Sequence, residues 1–245
     1  MLVEQARAPL LSENVATPPG PWHWAQTWRD VFFAHWQVPA QALKPHLPAG
    51  LEVDAWQGGG WISAVAFYLD VQHRRLPSFG LTSGFVELNL RTYVRWRDQP
   101  GIYFLSIHAG SRIAVGLARL LTPLPYVYAP LSYRRNGNQW RLRCQQSNVS
   151  LLDAEFSTAN DAATCAADSL DTWLVERYRL FAPARHGQVQ RLIVRHPPWE
   201  MRAVSGQVSA EHLGKPWGAD LSRQPDEMHF ANQIPARLWP FEAIH

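Results

Sequence analysis

The sequence predicts an α+β fold made mostly of antiparallel β-sheet, with a few short helices. Three observations point there. The string Glu87-Leu88-Asn89-Leu90-Arg91-Thr92-Tyr93-Val94-Arg95-Trp96-Arg97 alternates strictly, and period two marks a strand because successive Cβ atoms project to opposite faces. Turn chemistry recurs in Gln57-Gly58-Gly59-Gly60, Asp98-Gln99-Pro100-Gly101 and Arg135-Asn136-Gly137-Asn138, and Asn-Gly is a strong hairpin signal. The chain also carries 19 prolines and 12 tryptophans, which suit an aromatic core crossed by interrupted strands.

Taken in order, residues 1–21 read as a loose, flexible leader ending in Pro18-Pro19-Gly20-Pro21, and residues 22–245 as one domain without linker, repeat or low-complexity tract. Residues 26–38 are aromatic and β-branched and predict a strand. Pro39 opens a short helix, since a first turn tolerates proline, and Pro45 and Pro48 end it. Residues 51–56 and 61–69 predict two strands around the triple-glycine turn. The strand 85–97 is followed by the turn 98–101 and the strand 102–108. Ser111 is placed to cap a short helix reaching Leu120. Residues 126–134 and 139–146 flank the Asn-Gly turn. Ser169 caps a helix reaching about Arg177, with Leu170, Trp173, Leu174 and Arg177 on its inner side. Residues 189–196 and 201–209 are further strands, split by Pro197-Pro198. The tail from Gly214 is punctuated by Pro216, Pro225, Pro235 and Pro240, and no element is read in it.

Composition narrows the function classes. Hydrophobic residues make up 47% and charged residues 18%, enough for a sizeable core and unlike a disordered tail. Lys44 and Lys215 are the only lysines among 23 basic residues, and the arginines are scattered. A nucleic-acid binder shows a basic stripe or a recognisable module, and neither is present. Cys144 and Cys165 form no CxxC and no metal pattern, so reduced, buried thiols are expected. No signal peptide or bilayer-length apolar run is read, so the expectation is a cytoplasmic protein without a membrane partner. A homo-oligomer is compatible with the sequence.

The chemistry-bearing motifs are few. His35, His108 and His196 each lie in or at the end of a strand, outside any HxH, HExxH or Cys/His cluster, so no metal and no cofactor is expected. Gly58-Gly59-Gly60 lacks the helix and lysine of a phosphate cradle, and no GxSxG elbow occurs. What stands out is the polar face of residues 87–97. If it lines the inside of a closed sheet, Glu87, Asn89, Arg91 and Tyr93 stand in one row. Arg29, at the start of the first strand, is a second candidate. Guanidinium groups bind carboxylates through paired hydrogen bonds, and a glutamate in a dry interior can act as a general acid or base. The apolar or small residues 76–85 just before this strand suit a mouth loop, which favours the inward reading. The competing reading is a solvated face, or a structural Glu–Arg bridge.

Several strings resemble the YqjF-like bacterial family: Val31-Phe32-Phe33-Ala34-His35-Trp36, Leu47-Pro48-Ala49-Gly50-Leu51, Glu87 to Val94, Pro100-Gly101-Ile102-Tyr103-Phe104 and His196-Pro197-Pro198-Trp199. That family in turn resembles acetoacetate decarboxylase, which implies a cone-shaped, mostly antiparallel β barrel around a central cavity. The resemblance places the decarboxylase's active-site arginine on Arg29 and its glutamate on Glu87 of Phe85-Val86-Glu87. Ile113-Ala114-Val115-Gly116 resembles the stretch ahead of its catalytic lysine pair, but the pair itself falls on Leu124-Pro125. In that enzyme one lysine forms a Schiff base and the other lowers its pKa. Leucine and proline have no amine. The resemblance therefore implies the fold without Schiff-base decarboxylation. It leaves two functions: a barrel binding a small anionic or carbonyl compound through Arg29, Asn89, Arg91 and Tyr93, or a filled barrel serving structure or interaction. In the first, Trp61, Phe67 and Phe104 would form walls, and any catalysis would be that of a lysine-independent lyase, hydratase or isomerase using Glu87 as acid or base.

Overall fold

The computed structural model describes residues 15–75, 83–184 and 187–244. Of the expected mouth loop, residues 76–82 lie outside the described residues. The elements are β1 (Trp24–Val38), α1 (Ala40–Leu43), β2 (Glu52–Val53), β3 (Gly60–His73), β4 (Phe85–Trp96), β5 (Gln99–Ala109), α2 (Arg112–Leu121), β6 (Tyr126–Tyr128), β7 (Leu131–Asn136), β8 (Gln139–Gln146), β9 (Val149–Thr158), β10 (Ala163–Thr164), α3 (Leu170–Val175), β11 (Arg179–Pro183), β12 (Val189–Arg195), β13 (Glu200–Ser209), α4 (Glu211–Gly214), β14 (Glu227–Leu238) and β15 (Glu242–Ile244). Mostly antiparallel strands and few short helices agree with the sequence.

The strands run in the order β15-β12-β11-β5-β4-β3-β1-β14-β13-β9-β8-β7. β5 pairs in parallel with β11 and with β6; the other pairings are antiparallel. β12 pairs not only with β11 but also with β14, through Val194–Leu238 and Arg195–Arg237. Gly101 brings β11 close to β5: a Cβ there would lie 2.7 Å from the Arg179 carbonyl oxygen, so a side chain would force the two strands apart.

Alternation along the strands divides the interior in two. One cluster takes Phe32, Ala34 and Trp36 from β1, Ile62 and Ala64 from β3, and Leu88 and Leu90 from β4, and packs them on Leu142, Leu152 and Phe156 of the β8–β9 layer. Phe32 stacks on Phe156 at 4.2 Å between centroids. The other cluster takes the opposite faces, including Phe33, Val65 and Tyr93, with Leu174 and Val175 of α3 and Ile234 and Ala236 of β14. This second cluster surrounds the candidate site.

Ser111 Oγ accepts from the Ala114 N–H and Ser169 Oγ from the Thr172 N–H, both at 3.2 Å, so both expected caps are in place. Other expectations need correction. β2 is two residues long and pairs with β4, not β3; Trp56 and Gly59 bridge across the turn, and β3 then leaves to pair with β1. The turn after β4 is Arg97-Asp98, with Arg97 at φ 52°, and Gln99 and Pro100 already belong to β5. Ala129-Pro130 splits the expected strand 126–134 into β6 and β7, which pair with different neighbours. α3 stops at Val175, short of Arg177. The proline-marked tail contains the twelve-residue β14, which runs through Pro235. Pro235 falls between the stretches that pair with β13 and with β12, and an unpaired strand edge tolerates a missing N–H. Of the expected leader, Val15 is buried beside Tyr178, Ile193 and Trp239. Cys144 and Cys165 are free thiols, the first buried, and burial pushes them up to about 12 and about 11.

Candidate functional site

Inside the second cluster lies a cavity of about 90 Å³. The inward faces of β1, β3, β4 and β5 supply Trp28, Phe33, Val65, Phe67, Glu87, Asn89, Arg91 and Phe104. Leu124 and Tyr126 come from the segment after α2, Val175 from the end of α3, Arg177 from the link that follows, Arg179 from the start of β11, and His196 and Trp199 from the link after β12. A cavity this size holds a molecule of a few heavy atoms.

Glu87 is its acid. Period two on β4 turns Glu87, Asn89 and Arg91 inward, and all three are buried, while Leu88 and Leu90 face the other layer. The Tyr126 hydroxyl donates to Glu87 Oε2 at 3.0 Å, and Asn89 Nδ2 donates to Oε1 at 3.3 Å. Burial raises the Glu87 carboxyl to about 7, and these two hydrogen bonds only partly oppose it. Burial, and then the Glu87 charge, hold the Tyr126 phenol well above its ordinary value, so it remains a donor. A carboxyl balanced near neutrality can give or take a proton.

Three guanidinium groups line the cavity, those of Arg91 on β4, Arg177 between α3 and β11, and Arg179 at the start of β11. Arg91 Nη2 donates to the Leu174 carbonyl at 3.2 Å, which fastens β4 to α3. Arg177 Nε donates to the Trp173 carbonyl at 2.6 Å, and its Nη1 pairs with Asp54 Oδ2 at 2.8 Å. Asp54 also receives Arg95 at 3.0 Å. Polar capacity is left over: Arg91 Nε, Arg177 Nη2 and Asn89 Oδ1 are buried without a hydrogen-bond partner among the described residues. Buried polar atoms are usually satisfied; unpartnered ones also occur away from the cavity, on Tyr133 and Trp140 among others, but those of Arg91, Arg177 and Asn89 face a space that a ligand could fill. Arg177 and Arg179 also line an outer groove of about 370 Å³ with Arg95, Asp98 and Glu176. They are shared between the inner cavity and the surface.

Aromatic rings form the remaining wall. Trp28 stacks on Trp199 at 5.9 Å, and His196 lies 5.9 Å from Trp28 and 4.5 Å from Tyr178. Burial lowers His196 to about 4, so its imidazole is neutral at pH 7.

Glu87, Asn89 and Arg91 thus meet at one cavity, as the alternation predicts. Arg29 does not. β1 takes an extra residue at Asp30, whose φ is 53°, and its register against β3 shifts between Arg29 and Phe32. Such a bulge exchanges the faces: Trp28 and Val31 line the cavity, while Arg29 points away, 2.9 Å from Asp70 and 5.7 Å from the Tyr68 ring. The expected pairing of Arg29 with Glu87 is therefore absent. Tyr93 also needs correction, because it lies under the cavity rather than in its wall. Its hydroxyl meets Ser63 Oγ at 2.6 Å and donates to the Leu174 carbonyl at 2.9 Å. Of the expected walls, Phe67 and Phe104 line the cavity and Trp61 does not. Sequence reasoning misses Arg177, Arg179 and Tyr126 as site residues. For Arg177, the signal was its place on the predicted inner side of the helix capped by Ser169.

Neither lysine is near. Lys44 and Lys215 are exposed, Lys215 pairs with Glu211, and the cavity wall carries Leu124 instead. The fold nevertheless matches solved decarboxylases. Acetoacetate decarboxylase from Legionella pneumophila superposes with a TM-score of 0.68 at 11% identity, covering 100% of this chain and 98% of that one. An acetoacetate decarboxylase-like enzyme from Sphingomonas wittichii gives 0.66 at 14% identity, covering 98% and 99%. The enduracididine biosynthesis enzyme MppR, complexed with pyruvate, gives 0.63 at 12% identity, covering 94% and 93%. At these identities the likeness is one of fold. Sequence similarity is closer to the uncharacterized protein YqjF of Bacillus subtilis, 35% identical over 231 residues, covering 93% of this chain and 95% of that protein. The model of DUF2071, an uncharacterized conserved protein family, matches residues 25–235. That span holds every cavity residue but Leu238, and with it the chain belongs to the DUF2071 family.

Proposed function

We propose that the strands close into a barrel and that its cavity binds a small anionic or carbonyl-containing molecule without Schiff-base chemistry. Support for closure comes from the pairing of β12 with both β11 and β14, which links β12, β11, β5, β4, β3, β1 and β14 in a ring. The observation that carries the binding reading is the set of unpartnered buried polar atoms, Arg91 Nε, Arg177 Nη2 and Asn89 Oδ1, around one cavity. Burying these atoms without partners costs stability, and a ligand offering matching groups inside the cavity would recover it.

Arg91 and Arg177 hold the anionic end of the ligand. Glu87, near half-protonated at neutral pH, donates a hydrogen bond to a carbonyl or moves a proton at the carbon beside it. Any reaction is that of a lyase, hydratase or isomerase independent of lysine. Pyruvate is a suitable probe, since the similarly folded MppR has been seen complexed with it. Thermal-shift titration at pH 7 is expected to show stabilisation by pyruvate and none by its uncharged amide. Borohydride treatment in the presence of pyruvate is expected to leave the protein mass unchanged. Equal responses to the acid and the amide would remove the anion site, and a covalent adduct on Lys44 or Lys215 would restore Schiff-base chemistry. The filled-barrel reading has less support, since among the described residues Glu87 forms no ion pair that would close the interior.

A further inference from the structure

A second polar cluster lies on the same inner face, separate from the cavity wall. In the sheet register Glu227 of β14 faces His35 of β1, His35 faces Ser63 of β3, and Ser63 faces Arg91 of β4. His229 follows two residues after Glu227, on the same side of β14. Asp171, in the first turn of α3, closes over this row, with Oδ1 3.1 Å from His229 Nε2. One ligand atom each from Asp171, Glu227 and His229 lie within 4.8 Å of one another. Two donors held at about 2.1 Å from one metal ion are about 3.0–3.4 Å apart for octahedral or tetrahedral angles, and the Asp171–His229 contact already has that spacing.

We propose that Asp171, Glu227 and His229 form a binding site for a divalent first-row transition ion, with His35 behind it.

One observation beyond the cluster itself argues for a ligand. His35 is fully buried, and its Nδ1 is held by Ser63 at 2.6 Å on the β3 side. That leaves Nε2 on the other side of the ring, toward β14, where it has no partner among the described residues and His229 stands 5.3 Å away between ring centroids. A hydrogen bond between Asp171 and His229 alone leaves His35 Nε2 unsatisfied, whereas water on a bound ion gives it a donor. One imidazole and two carboxylates suit zinc, manganese, iron or cobalt better than the thiolate-preferring ions. Three protein ligands, with Asp171 partly open to solvent, leave positions free for exchangeable water, as in catalytic rather than structural sites.

The test uses cobalt(II), whose visible absorption reports coordination. The full chain, stripped with chelator, is titrated with Co²⁺ and its metal content measured by native mass spectrometry. Wild type is expected to retain one ion per chain and to melt at a higher temperature with it. Glu227→Gln and Asp171→Asn, both close in shape, are each expected to weaken retention at least about tenfold. Arg91→Met, which alters the cavity instead, is expected to keep the ion. Retention equal in wild type and both cluster variants would overturn the site and assign any bound cobalt to other histidines, and no retention in wild type would overturn it outright. If Glu227→Gln does not fold, the half-exposed Asp171→Asn decides alone.

Discussion

Leu88 and Leu90, on the outer face of β4, have no solvent exposure and pack in the cluster that holds Phe32, Trp140 and Phe156. Glu87, Asn89 and Arg91, one residue away on the inner face, are nearly as buried but surround empty space and keep unused hydrogen-bonding capacity. One strand thus carries two kinds of interior. The outer face contributes dispersion and apolar burial, of the order of 1.5–3 kcal/mol per large side chain. The inner face holds desolvated polar groups that cost stability unless something binds them. Stability and function are separated by the pleat, so substitutions on the two faces should have opposite signatures.

The largest effect is expected outside. Leu90→Ala removes a fully buried side chain from a close-packed layer and should cost about 3–5 kcal/mol, while the pyruvate response of whatever folds is retained. Urea denaturation and thermal-shift titration measure the two parts. A loss of ligand response at unchanged stability would put Leu90 in the site and reverse the comparison.

Next comes Glu87→Gln, whose effect should depend on pH. The folded-state value of Glu87 is about 7 against an ordinary 4.5. The folded protein therefore holds the proton more tightly than the unfolded chain. This group's contribution to stability is intact below about pH 4.5 and is lost as pH rises through 7, by about 3 kcal/mol in total. Glutamine, which never ionises, avoids that loss. The variant should match wild type near pH 4.5 and exceed it at pH 8 by about 1–3 kcal/mol, yet lose any proton-transfer chemistry. Equal destabilisation at both pH values in urea melts would make the carboxylate a structural element.

The two faces of β4 were legible in the sequence because period two survives from residue 87 to residue 93. What was illegible has specific causes. The bulge at Asp30 uses a non-glycine residue at positive φ, and no composition signal announces it, so the face of Arg29 was assigned with the wrong parity. β14 looked like a broken tail because a proline reads as a breaker unless its neighbours are known, and the unpaired edge at Pro235 is a tertiary fact. Arg177 reaches the cavity only because α3 ends at Val175 and the chain turns back along Asp54. β9 was not read as a strand, although Leu152, Ala154 and Phe156 alternate as inner-layer residues.

A smaller effect on stability is expected from Arg91→Met. The substitution removes a buried cation whose Nε lacks a partner and keeps much of the apolar stem. Replacing a desolvated charge by a hydrophobic group of similar size is close to neutral, so stability should change by no more than about 1 kcal/mol. Pyruvate should no longer raise the melting temperature. A full pyruvate response in this variant would transfer the anion site to Arg177 and Arg179.

The smallest effect, and the sharpest use of the comparison, is Arg29→Ala. Arg29 and Arg91 are both strand arginines, and fold resemblance alone favours Arg29 as the binding residue. The bulge at Asp30 separates them: Arg29 is about two-fifths exposed and pairs with an Asp70 that is itself one-third exposed. Pairs of that kind contribute about 0–1 kcal/mol, because water screens the charges and ordering two long side chains costs entropy. Asp70 also keeps a second partner, the Gly84 N–H at 2.7 Å, when the guanidinium is removed. Arg29→Ala should therefore melt within a degree or two of wild type and respond to pyruvate as wild type does. If it instead loses the response while Arg91→Met retains it, Arg29 reaches the cavity in solution, and the phase change placed at Asp30 is wrong.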